Sequence, residues 1–457
     1  MIRIDGQPIL SVREMRAAEA AVMASGTPAQ ALMTRAGEAV AEQVRRLAAG
    51  AEILVACGPG NNGGDGYVVA TALRRAGQAV RVTAIADPGT EAAAAARGGW
   101  SGPVERLTDS APAPILIDAL FGIGMSRPLG GEAAAALAKL IDAARLSIAI
   151  DVPSGVSTDD GAILTDLPPV SLTLALGAVK PAHVLQPSAA LCGEVRLLNI
   201  GVPVESAVRV ADAPVLHVPG RDAHKYSRGL VAVIAGRMPG AAALAAMGAS
   251  RSGAGYVRLL GSATDRLPHA IVRQRLHEDS LSGQRVGAVI VGPGLGRDEQ
   301  ARERLDAALS CGRPLVIDGD ALHLLSDAPA AVPTILTPHQ GEFSRMFGET
   351  GGGKISRAQE AARRANAVIV FKGPDTVIAA PDGRVAVHAH APSWLATAGT
   401  GDVLSGVVAA QLAGGADIFT AAVNGVWLHA EAARLSGPSF IADDLIAHLP
   451  AAVGACL

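Results

Sequence analysis

Short runs of apolar residues alternate with helical segments along the chain, and this alternation constrains the fold more than any other feature. Continuous apolar runs bounded by turn residues are typical of parallel strands that helices cover on both faces, because a half-exposed strand would alternate polar and apolar residues. In the first half of the chain the runs occupy residues 52–57, 79–86, 115–120, 147–150, 172–176 and 194–200. The sequence therefore predicts an α/β fold with a doubly wound, largely parallel sheet in this half.

The regular alternation is lost between residues 201 and 220 and then starts again. The later apolar runs occupy residues 229–235, 255–260, 287–291, 314–317, 334–336, 368–371 and 376–380. A chain of 457 residues is also long for a single core. We therefore predict two α/β domains, residues 1–212 and 213–457.

Two helix starts are marked before the first apolar run. Residues 11–14 match a capping box, in which a hydroxyl residue is followed three positions later by Glu, and residues 27–30 match a second one. Pro28 occupies the first helical position of the second motif, where proline is favoured. Both motifs predict helices capped by the side chains of Ser11 and Thr27.

Charge and composition exclude several classes of protein. The formal net charge is -3 and no basic stripe is present, so we expect no nucleic-acid partner. Gly, Pro or charged residues interrupt every apolar stretch before the ~20 residues that a membrane helix needs, and Arg and Glu interrupt the N-terminal segment, which lacks a signal-peptide core. The four cysteines are scattered without metal-ligand spacing, so we expect packed thiols. We expect a cytoplasmic protein without membrane contact that forms a homo-oligomer.

Polar residues gather at three strand ends in the first half, at residues 61–66, 118–128 and 151–155. Ligands of open parallel sheets bind beyond the carboxyl ends of the strands. Asn62, Asp118 and Ser154 are short oxygen-bearing residues at different strand ends, so together they could ligate a cation. Turn and cap functions explain the same residues equally well.

Residues 58–63 match G-x-G-x-x-G between an apolar run and a helical segment, as in a dinucleotide-binding loop. Asp87 follows at about the distance of a ribose-binding acid, which favours a dehydrogenase. Asn61, Asn62 and Asp65 argue against that function, because a carboxylate beside a pyrophosphate repels it. Asp65 could accept hydrogen bonds from ribose or amide groups, or cap the following helix. The loop therefore fits either a coenzyme cradle or a polar substrate pocket.

In the second half, residues 399–402 (GTGD) precede a long apolar helical segment. Small residues at a helix N-terminus can stabilise a transferring phosphoryl group, and Asp402 could accept a hydroxyl proton there. A plain helix cap explains this motif as well. Residues 292–296, 337–342 and 372–376 also follow apolar runs. Four such strand ends in one domain favour a binding site.

These motifs together resemble one family. They are GPGNNGGDG at 58–66, DALFGIG at 118–124, DVPSG at 151–155, GPGLG at 292–296, TPHQGE at 337–342, KG at 372–373 and GTGD at 399–402. The chain resembles the bifunctional NAD(P)H-hydrate repair enzymes, in which an epimerase domain is fused to an ADP-dependent dehydratase domain. The resemblance covers roughly residues 10–209 and 219–454.

For the first half the resemblance implies a Rossmann-like domain that epimerises C6 of NADHX and NADPHX, the hydrated nicotinamide cofactors. It implies a potassium site at Asn62, Asp118 and Ser154. Asp151 is the candidate acid or base. The residues implied to bind the hydrate are Asn61, Asn62, Gly63, Gly64, Asp65, Gly122, Ile123, Gly124, Met125, Ser126, Arg127, Pro128 and Asp151.

For the second half the resemblance implies a ribokinase-like domain that returns the S hydrate to the reduced cofactor with ADP and Mg²⁺. Asp402 would act on the hydroxyl of the hydrate. The residues implied to contact the hydrate are Ala241, Gly294 and His339, and those implied to bind the adenine nucleotide are Lys372, Gly373, Pro374, Asp375, Thr376 and Gly401. The chain departs from the family pattern at Ala398, at residues 388–392 and at Arg237, which affects the details of this pocket.

Two other functions stay open at this point. A GTGD loop also suits a ribokinase-like small-molecule kinase whose N-terminal half is a nucleotide-binding module. A dehydrogenase is the third hypothesis, although the first half offers no obvious hydride-relay histidine, since we expect His183 to lie in a surface loop.

Overall fold

The structure is a computed structural model that describes residues 1–262, 267–277, 279–325, 332–349 and 351–457. The chain divides into two compact units, Met1–Val210 and Ala211–Leu457. In the described residues no helix is long and apolar enough to cross a membrane.

The first unit is built around a parallel sheet of seven strands. The helices of this unit are α1 (Val12–Ala24), α2 (Ala29–Ala48), α3 (Asn61–Arg75), α4 (Glu91–Gly98) and α5 (Gly131–Ala143). The strands are β1 (Ile53–Cys57), β2 (Val80–Ala84), β3 (Val104–Arg106), β4 (Ile115–Ala119), β5 (Leu146–Ile150), β6 (Leu172–Leu176), β7 (Glu194–Leu198) and the short β8 (Val208–Val210). The sheet order is β3-β2-β1-β4-β5-β6-β7.

The strand order reverses between β1 and β4, and this is the point at which doubly wound sheets open a crevice for ligands. The central strands are buried on both faces. Apolar residues of α2 and α3 pack on one face of the sheet, and Leu137, Leu140 and Ile141 of α5 pack on the other. Burial on both faces explains why the strands read as continuous apolar runs.

The second unit has a larger sheet. The helices are α6 (Pro239–Arg251), α7 (Asp279–Ser282), α8 (Glu299–Leu309), α9 (Gly319–Leu324), α10 (Gln340–Phe347), α11 (Lys354–Ala365), α12 (Thr400–Ala413), α13 (Ile418–Ser436) and α14 (Ala442–Gly454). The strands are β9 (Leu230–Ile234), β10 (Tyr256–Leu260), β11 (Ile271–Gln274), β12 (Val286–Val291), β13 (Leu315–Ile317), β14 (Thr334–Leu336), β15 (Val368–Phe371), β16 (Thr376–Ala379) and β17 (Val385–His388).

Within this unit the order is β11-β10-β9-β12-β13-β14-β15-β16-β17. The strands are parallel from β11 to β15, and β16 and β17 continue the sheet as an antiparallel pair. Helix α12 packs closely against α6. The packing leaves no room for a side chain at Gly406, since a Cβ there would lie 2.1 Å from the carbonyl oxygen of Ala245. Most residues of α12 are buried, which fixes the position of its N-terminus, where the GTGD motif lies.

Some sequence predictions are confirmed and others need correction. The apolar runs form strands, and Ser11 caps α1 in a complete capping box with Glu14. The second capping box is wrong: α2 begins at Ala29, Pro28 occupies the cap position, and no side chain caps the helix. Three cysteines are buried free thiols and Cys311 is partly exposed.

Candidate functional sites

The glycines of the β1–α3 loop allow the backbone to pack closely. A side chain at Gly58 would lie 1.8 Å from the carbonyl oxygen of Leu120, and one at Gly63 would lie 1.8 Å from the carbonyl oxygen of Gly58. A side chain at Gly66 would lie 2.7 Å from Cβ of Ala119. These glycines press the start of α3 against β1 and the end of β4, which brings the polar residues of the two strand ends together.

Asp118 and Ser154 form one buried polar cluster at these strand ends. Asp118 accepts hydrogen bonds from the Ser154 amide at 2.8 Å, the Ser154 hydroxyl at 2.7 Å and the Leu120 amide at 3.1 Å. Burial raises the pKa of Asp118, although these hydrogen bonds oppose the shift. Asn62 lies against Gly122, where an added side chain would be 3.1 Å from its Oδ1. Its buried Nδ2 has no hydrogen-bond partner among the described residues.

A second cluster surrounds Asp151, directly after β5. Lys180 Nζ donates to Asp151 Oδ1 at 2.5 Å and to the Leu176 carbonyl at 2.6 Å. His183 Nδ1 accepts from the Lys180 amide at 3.0 Å, so its Nε2 carries the hydrogen that is donated to the Asp151 carbonyl at 2.6 Å. Asp151 has a φ of 66°, a conformation that is uncommon outside glycine and recurs at functional sites.

His183 is therefore not in a surface loop, as the sequence predicted. Its side chain is 1% exposed, and burial lowers the pKa of its imidazole to about 4. The ring is neutral at physiological pH and holds the backbone of Asp151 in place. Lys180 is 0% exposed, so the Asp151 carboxylate is its counter-ion inside the protein.

A cavity of about 650 Å³ lies at these strand ends, and Glu19, Asp65 and Asp151 all line it; we call it the carboxylate cavity. Burial, together with the charges of Asp151 and Glu19, raises the pKa of Asp65 well above its usual range. Burial and Asp151 also raise the pKa of Glu19, with Lys180 and Arg16 opposing. The residues of the predicted hydrate site that line this cavity are Asn61, Asn62, Asp65, Gly122, Ile123, Gly124, Met125 and Asp151.

The loop after β4 also lines a second cavity of about 680 Å³. Ser126, Arg127 and Pro128 line this cavity, and both cavities include Pro59, Phe121, Gly124 and Met125. Gly63 and Gly64 do not line either cavity, since Gly64 packs against Met33 and Gly63 against Gly58. The two cavities adjoin and can hold two parts of one extended ligand.

In the second unit, the GTGD motif starts α12 beside a buried ion pair. Lys372 Nζ donates to Asp318 Oδ1 at 2.8 Å, and the Ser405 hydroxyl donates to Asp318 Oδ2 at 2.8 Å. Gly401 lies beside this pair, since a side chain at that position would be 3.4 Å from Lys372 Nζ. Burial by itself raises the pKa of Asp318. The charge of Lys372 and the hydrogen bonds lower it by more, so the pKa lies below its usual value.

Asp402 lies in the first turn of α12. Burial and the charges of Asp318 and Asp320 raise its pKa to about 7, while Lys372 opposes the shift. A carboxyl group with this pKa can gain and lose a proton near neutral pH, which suits a general base. His429, whose pKa burial lowers to about 4, contacts the Thr400 carbonyl at 2.9 Å and supports the start of the helix.

The predicted nucleotide turn, residues 372–376, is held by its own hydrogen bonds. Thr376 Oγ1 donates to the Gly373 carbonyl at 2.9 Å, and Asp375 Oδ1 accepts from Lys354 Nζ at 2.6 Å. Asp375 is buried in this ion pair. Pro374 completes the turn, and Lys372 at its start points to Asp318.

The structure brings Ala241 and Gly294 together, since a side chain at Gly294 would lie 2.9 Å from Cβ of Ala241. His339 caps α10: its Nδ1 accepts from the amides of Gly341 at 3.0 Å and Glu342 at 3.3 Å. The side chain of His339 is largely exposed, and its Nε2 lies 3.5 Å from Glu342 Oε1. These residues follow β9, β12 and β14, whose carboxyl ends lie on the same edge of the sheet.

The sequence analysis did not identify several residues of the two sites: Glu19, Lys180, His183, Asp318 and Ser405. Asp318 carries a usable signal, because it directly follows an apolar run as Asp151 does. The sequence around Lys180 and Glu19 gives no such signal, because only the fold places these two residues near the strand ends. In the described part of the chain, no group of three or more His, Cys, Asp or Glu side chains is placed to hold a metal ion.

Two α/β units, each with polar residues gathered at the carboxyl ends of its own strands, define a two-domain α/β protein. Residues 231–449 match the family described as NAD(P)H-hydrate dehydratase, and residues 29–182 match the family described as YjeF-related protein N-terminus. The bifunctional NAD(P)H-hydrate repair enzyme of Mycobacterium tuberculosis is 38% identical over 435 residues, which cover 89% of each chain.

The same enzyme of Coxiella burnetii is 32% identical over 96% of this chain and 97% of its own. A solved ADP/ATP-dependent NAD(P)H-hydrate dehydratase of Bacillus subtilis is 31% identical and covers 53% of this chain and 95% of its own, with a TM-score of 0.47. The chain belongs to the family of bifunctional NAD(P)H-hydrate repair enzymes. This membership and the α/β fold class predicted from the sequence are confirmed, whereas the potassium site, the homo-oligomer and the cytoplasmic location stay predictions.

Proposed function

We propose that this chain repairs hydrated nicotinamide cofactors with two activities. Residues 1–212 interconvert the R and S hydrates of NADH and NADPH at C6, and residues 213–457 dehydrate the S form with ADP. The observation that carries this proposal is that each unit holds its own complete polar site, one around Asp151 and one around Asp402. The names of the relatives that match both units support it.

In the epimerase site, the two adjoining cavities accommodate the hydrate. Residues 61–65, residues 122–128 and Asp151 are the proposed contacts. Gly63 and Gly64 do not line the cavities themselves. Their close packing positions the neighbouring residues of the same loop that do. Asp151 is the proposed acid or base, since it lines the carboxylate cavity and is held by Lys180.

Asn62, Asp118 and Ser154 are the proposed potassium ligands. Oxygen atoms of amide, carboxylate and hydroxyl groups suit a hard cation, and Asp118 and Ser154 are already in contact at 2.7 Å. When bound, the ion supplies a positive charge beside the start of α3. The residues themselves fix the end of β4 against the loop that follows β5.

In the dehydratase site, Asp402 is the proposed base. Ala241, Gly294 and His339 contact the hydrate, and residues 372–376 with Gly401 bind the adenine nucleotide, which enters with Mg²⁺. The Lys372 ammonium group beside Gly401 supports this assignment, because it places positive charge where phosphate groups would meet the N-terminus of α12.

The chemistry follows from the poor leaving ability of hydroxide. Asp402 takes the hydroxyl proton as the C6 oxygen attacks the β-phosphorus of ADP, and AMP leaves with the electrons of the broken phosphoanhydride bond. The lone pair of the ring nitrogen then expels phosphate from C6, and loss of a proton from C5 restores the reduced ring. The N-terminus of α12 stabilises the charge that develops on the phosphoryl group.

One assay tests both activities. The purified chain is incubated with a mixture of R and S hydrates, ADP and Mg²⁺, and the near-ultraviolet absorbance of the reduced cofactor is followed. We expect full recovery of the cofactor with release of free phosphate. Recovery of the S fraction alone would refute the epimerase activity. A stable phosphorylated product would indicate a small-molecule kinase instead, and redox turnover of intact NAD(H) would indicate a dehydrogenase.

A further inference from the structure

The carboxylate cavity contains two buried carboxyl groups with opposite surroundings. The Asp151 carboxylate is paired with the fully buried ammonium group of Lys180 at 2.5 Å. Asp65 lines the same cavity and is 9% exposed, and in the described residues no donor or cation lies within bonding distance of its carboxyl group. A buried ion pair favours the anion of Asp151, whereas a buried carboxyl group without a partner favours its protonated form.

We propose that Asp65 is the proton donor of the epimerase site and acts together with Asp151, the base that Lys180 holds as an anion. This assignment rests on the epimerase activity proposed above and adds a second catalytic residue to it. Burial and the neighbouring charges raise the pKa of Asp65, in agreement with a carboxyl group that favours its protonated form.

The other titratable groups in or near this cavity are less suited to donate the proton. His183 does not line the cavity, and its ring hydrogen on Nε2 is already donated to the Asp151 carbonyl while Nδ1 accepts from the Lys180 amide. Glu19 on α1 is only partly buried, and Arg16 on the same helix opposes its shift. Lys180 already donates to Asp151 and to the Leu176 carbonyl.

A protonated and an ionised carboxyl group can open and close the hydrate ring without any other reactant. Asp151 takes the proton of the C6 hydroxyl, the C6–O bond becomes a carbonyl, and the C6–N1 bond breaks with its electron pair moving to N1. N1 takes the proton of Asp65. After rotation about the C5–C6 bond, N1 attacks the other face of the carbonyl and returns its proton to Asp65, while Asp151 returns its proton to the oxygen.

Ring opening restores both carboxyl groups to their starting states in each cycle. In the alternative reaction, Asp65 would protonate the departing water and Asp151 would deprotonate the returning one. Asp65 would then lack its proton and Asp151 would carry one, so a further proton transfer would be needed before the next cycle. The arrangement of one anchored anion and one unpartnered acid therefore favours ring opening.

The test uses the full chain and follows the exchange of purified R and S hydrates by chromatography, without ADP. In Asp65→Asn we expect kcat for exchange to fall by at least about 100-fold with little change in KM, because a proton donor is lost and the shape is kept. Dehydration of the S hydrate with ADP should be unchanged. The matched variant Glu38→Gln removes an exposed carboxyl group of α2 that lines neither cavity, and it should keep exchange within about tenfold of the wild type.

Three outcomes would overturn parts of this assignment. Asp65 is overturned as the donor if Asp65→Asn keeps exchange, or if Glu38→Gln loses exchange to the same extent. In the wild type, entry of heavy oxygen from labelled water at the rate of exchange overturns ring opening, and this measurement needs no variant. A wild-type chain without any exchange overturns the epimerase activity and the Asp65 assignment together, whereas the first two outcomes leave the activity standing.

Discussion

Lys372 Nζ lies 2.8 Å from Asp318 Oδ1, directly beside the first turn of α12. The pair adjusts the pKa of Asp402: burial is the main cause of its rise, the charge of Asp318 raises it further and the charge of Lys372 lowers it. Lys372 follows β15 and Asp318 follows β13, so the sheet itself determines their contact. Ser405 on α12 donates to the other oxygen of Asp318 and connects the helix to the pair.

The pH dependence of dehydration should report the ionisation of Asp402. Burial, with Asp318 and Asp320, raises its pKa to about 7, and a general base acts only when it is deprotonated. We therefore expect kcat at saturating S hydrate and ADP to rise roughly tenfold per pH unit below about pH 7 and to level off above it. A kcat that does not vary between about pH 5 and about pH 8 would exclude Asp402 as the base of a rate-limiting step.

Replacement of Asp318 by Asn should move this pH profile to lower pH. The substitution removes a negative charge that raises the pKa of Asp402 and releases Lys372 from its counter-ion, and both changes favour the ionised form of Asp402. The shift should be about one pH unit, since neighbouring charges typically move a pKa by one to three units.

Ser405→Ala is the matched control for Asp318→Asn. It removes a hydrogen bond to the same carboxylate without changing any charge, so the midpoint of its pH profile should stay close to that of the wild type. A shift of equal size in both variants would indicate a general loosening of the site and not the charge of Asp318.

Asp402→Asn should abolish dehydration and leave epimerisation intact, since the two sites lie in separate units. The expected loss in kcat is at least about 100-fold, the usual contribution of a positioned general base. Both rates are measured on one preparation, dehydration with S hydrate and ADP, and epimerisation by exchange of R and S hydrates without ADP. Loss of both activities in a folded variant would contradict separable sites.

The sequence could predict the layers of both sheets because the strands are buried on both faces and therefore read as apolar runs. The edge strands β3 and β11 escaped prediction, since Val104–Arg106 and Ile271–Gln274 contain exposed charged or polar residues. A helix does begin near Pro28, but Pro28 occupies the cap position and not the predicted first helical position, and the side chain of Thr27 does not cap the helix.

For the sites, the motifs identified residues that share a strand end, and the order of the strands explains why Asp118 and Ser154 meet. Lys180 and His183 could not be predicted in the same way. Their function depends on contacts with Asp151, about thirty residues earlier in the chain, and a short segment that starts with Lys-Pro gives no sign of such a contact.

Gly58→Ala should destabilise the first unit strongly, whereas Gly60→Ala in the same loop should not. An alanine Cβ at position 58 would lie 1.8 Å from the carbonyl oxygen of Leu120, so β1 and β4 would have to move apart, while a Cβ at position 60 meets nothing within 4 Å. We expect the free energy of unfolding of this unit to fall by about 3 kcal/mol in Gly58→Ala and by less than about 0.5 kcal/mol in Gly60→Ala. Hydrogen exchange of the β1 and α3 amides measures the change within this unit. Equal protection in the two variants would show that close packing at Gly58 does not hold the loop in place.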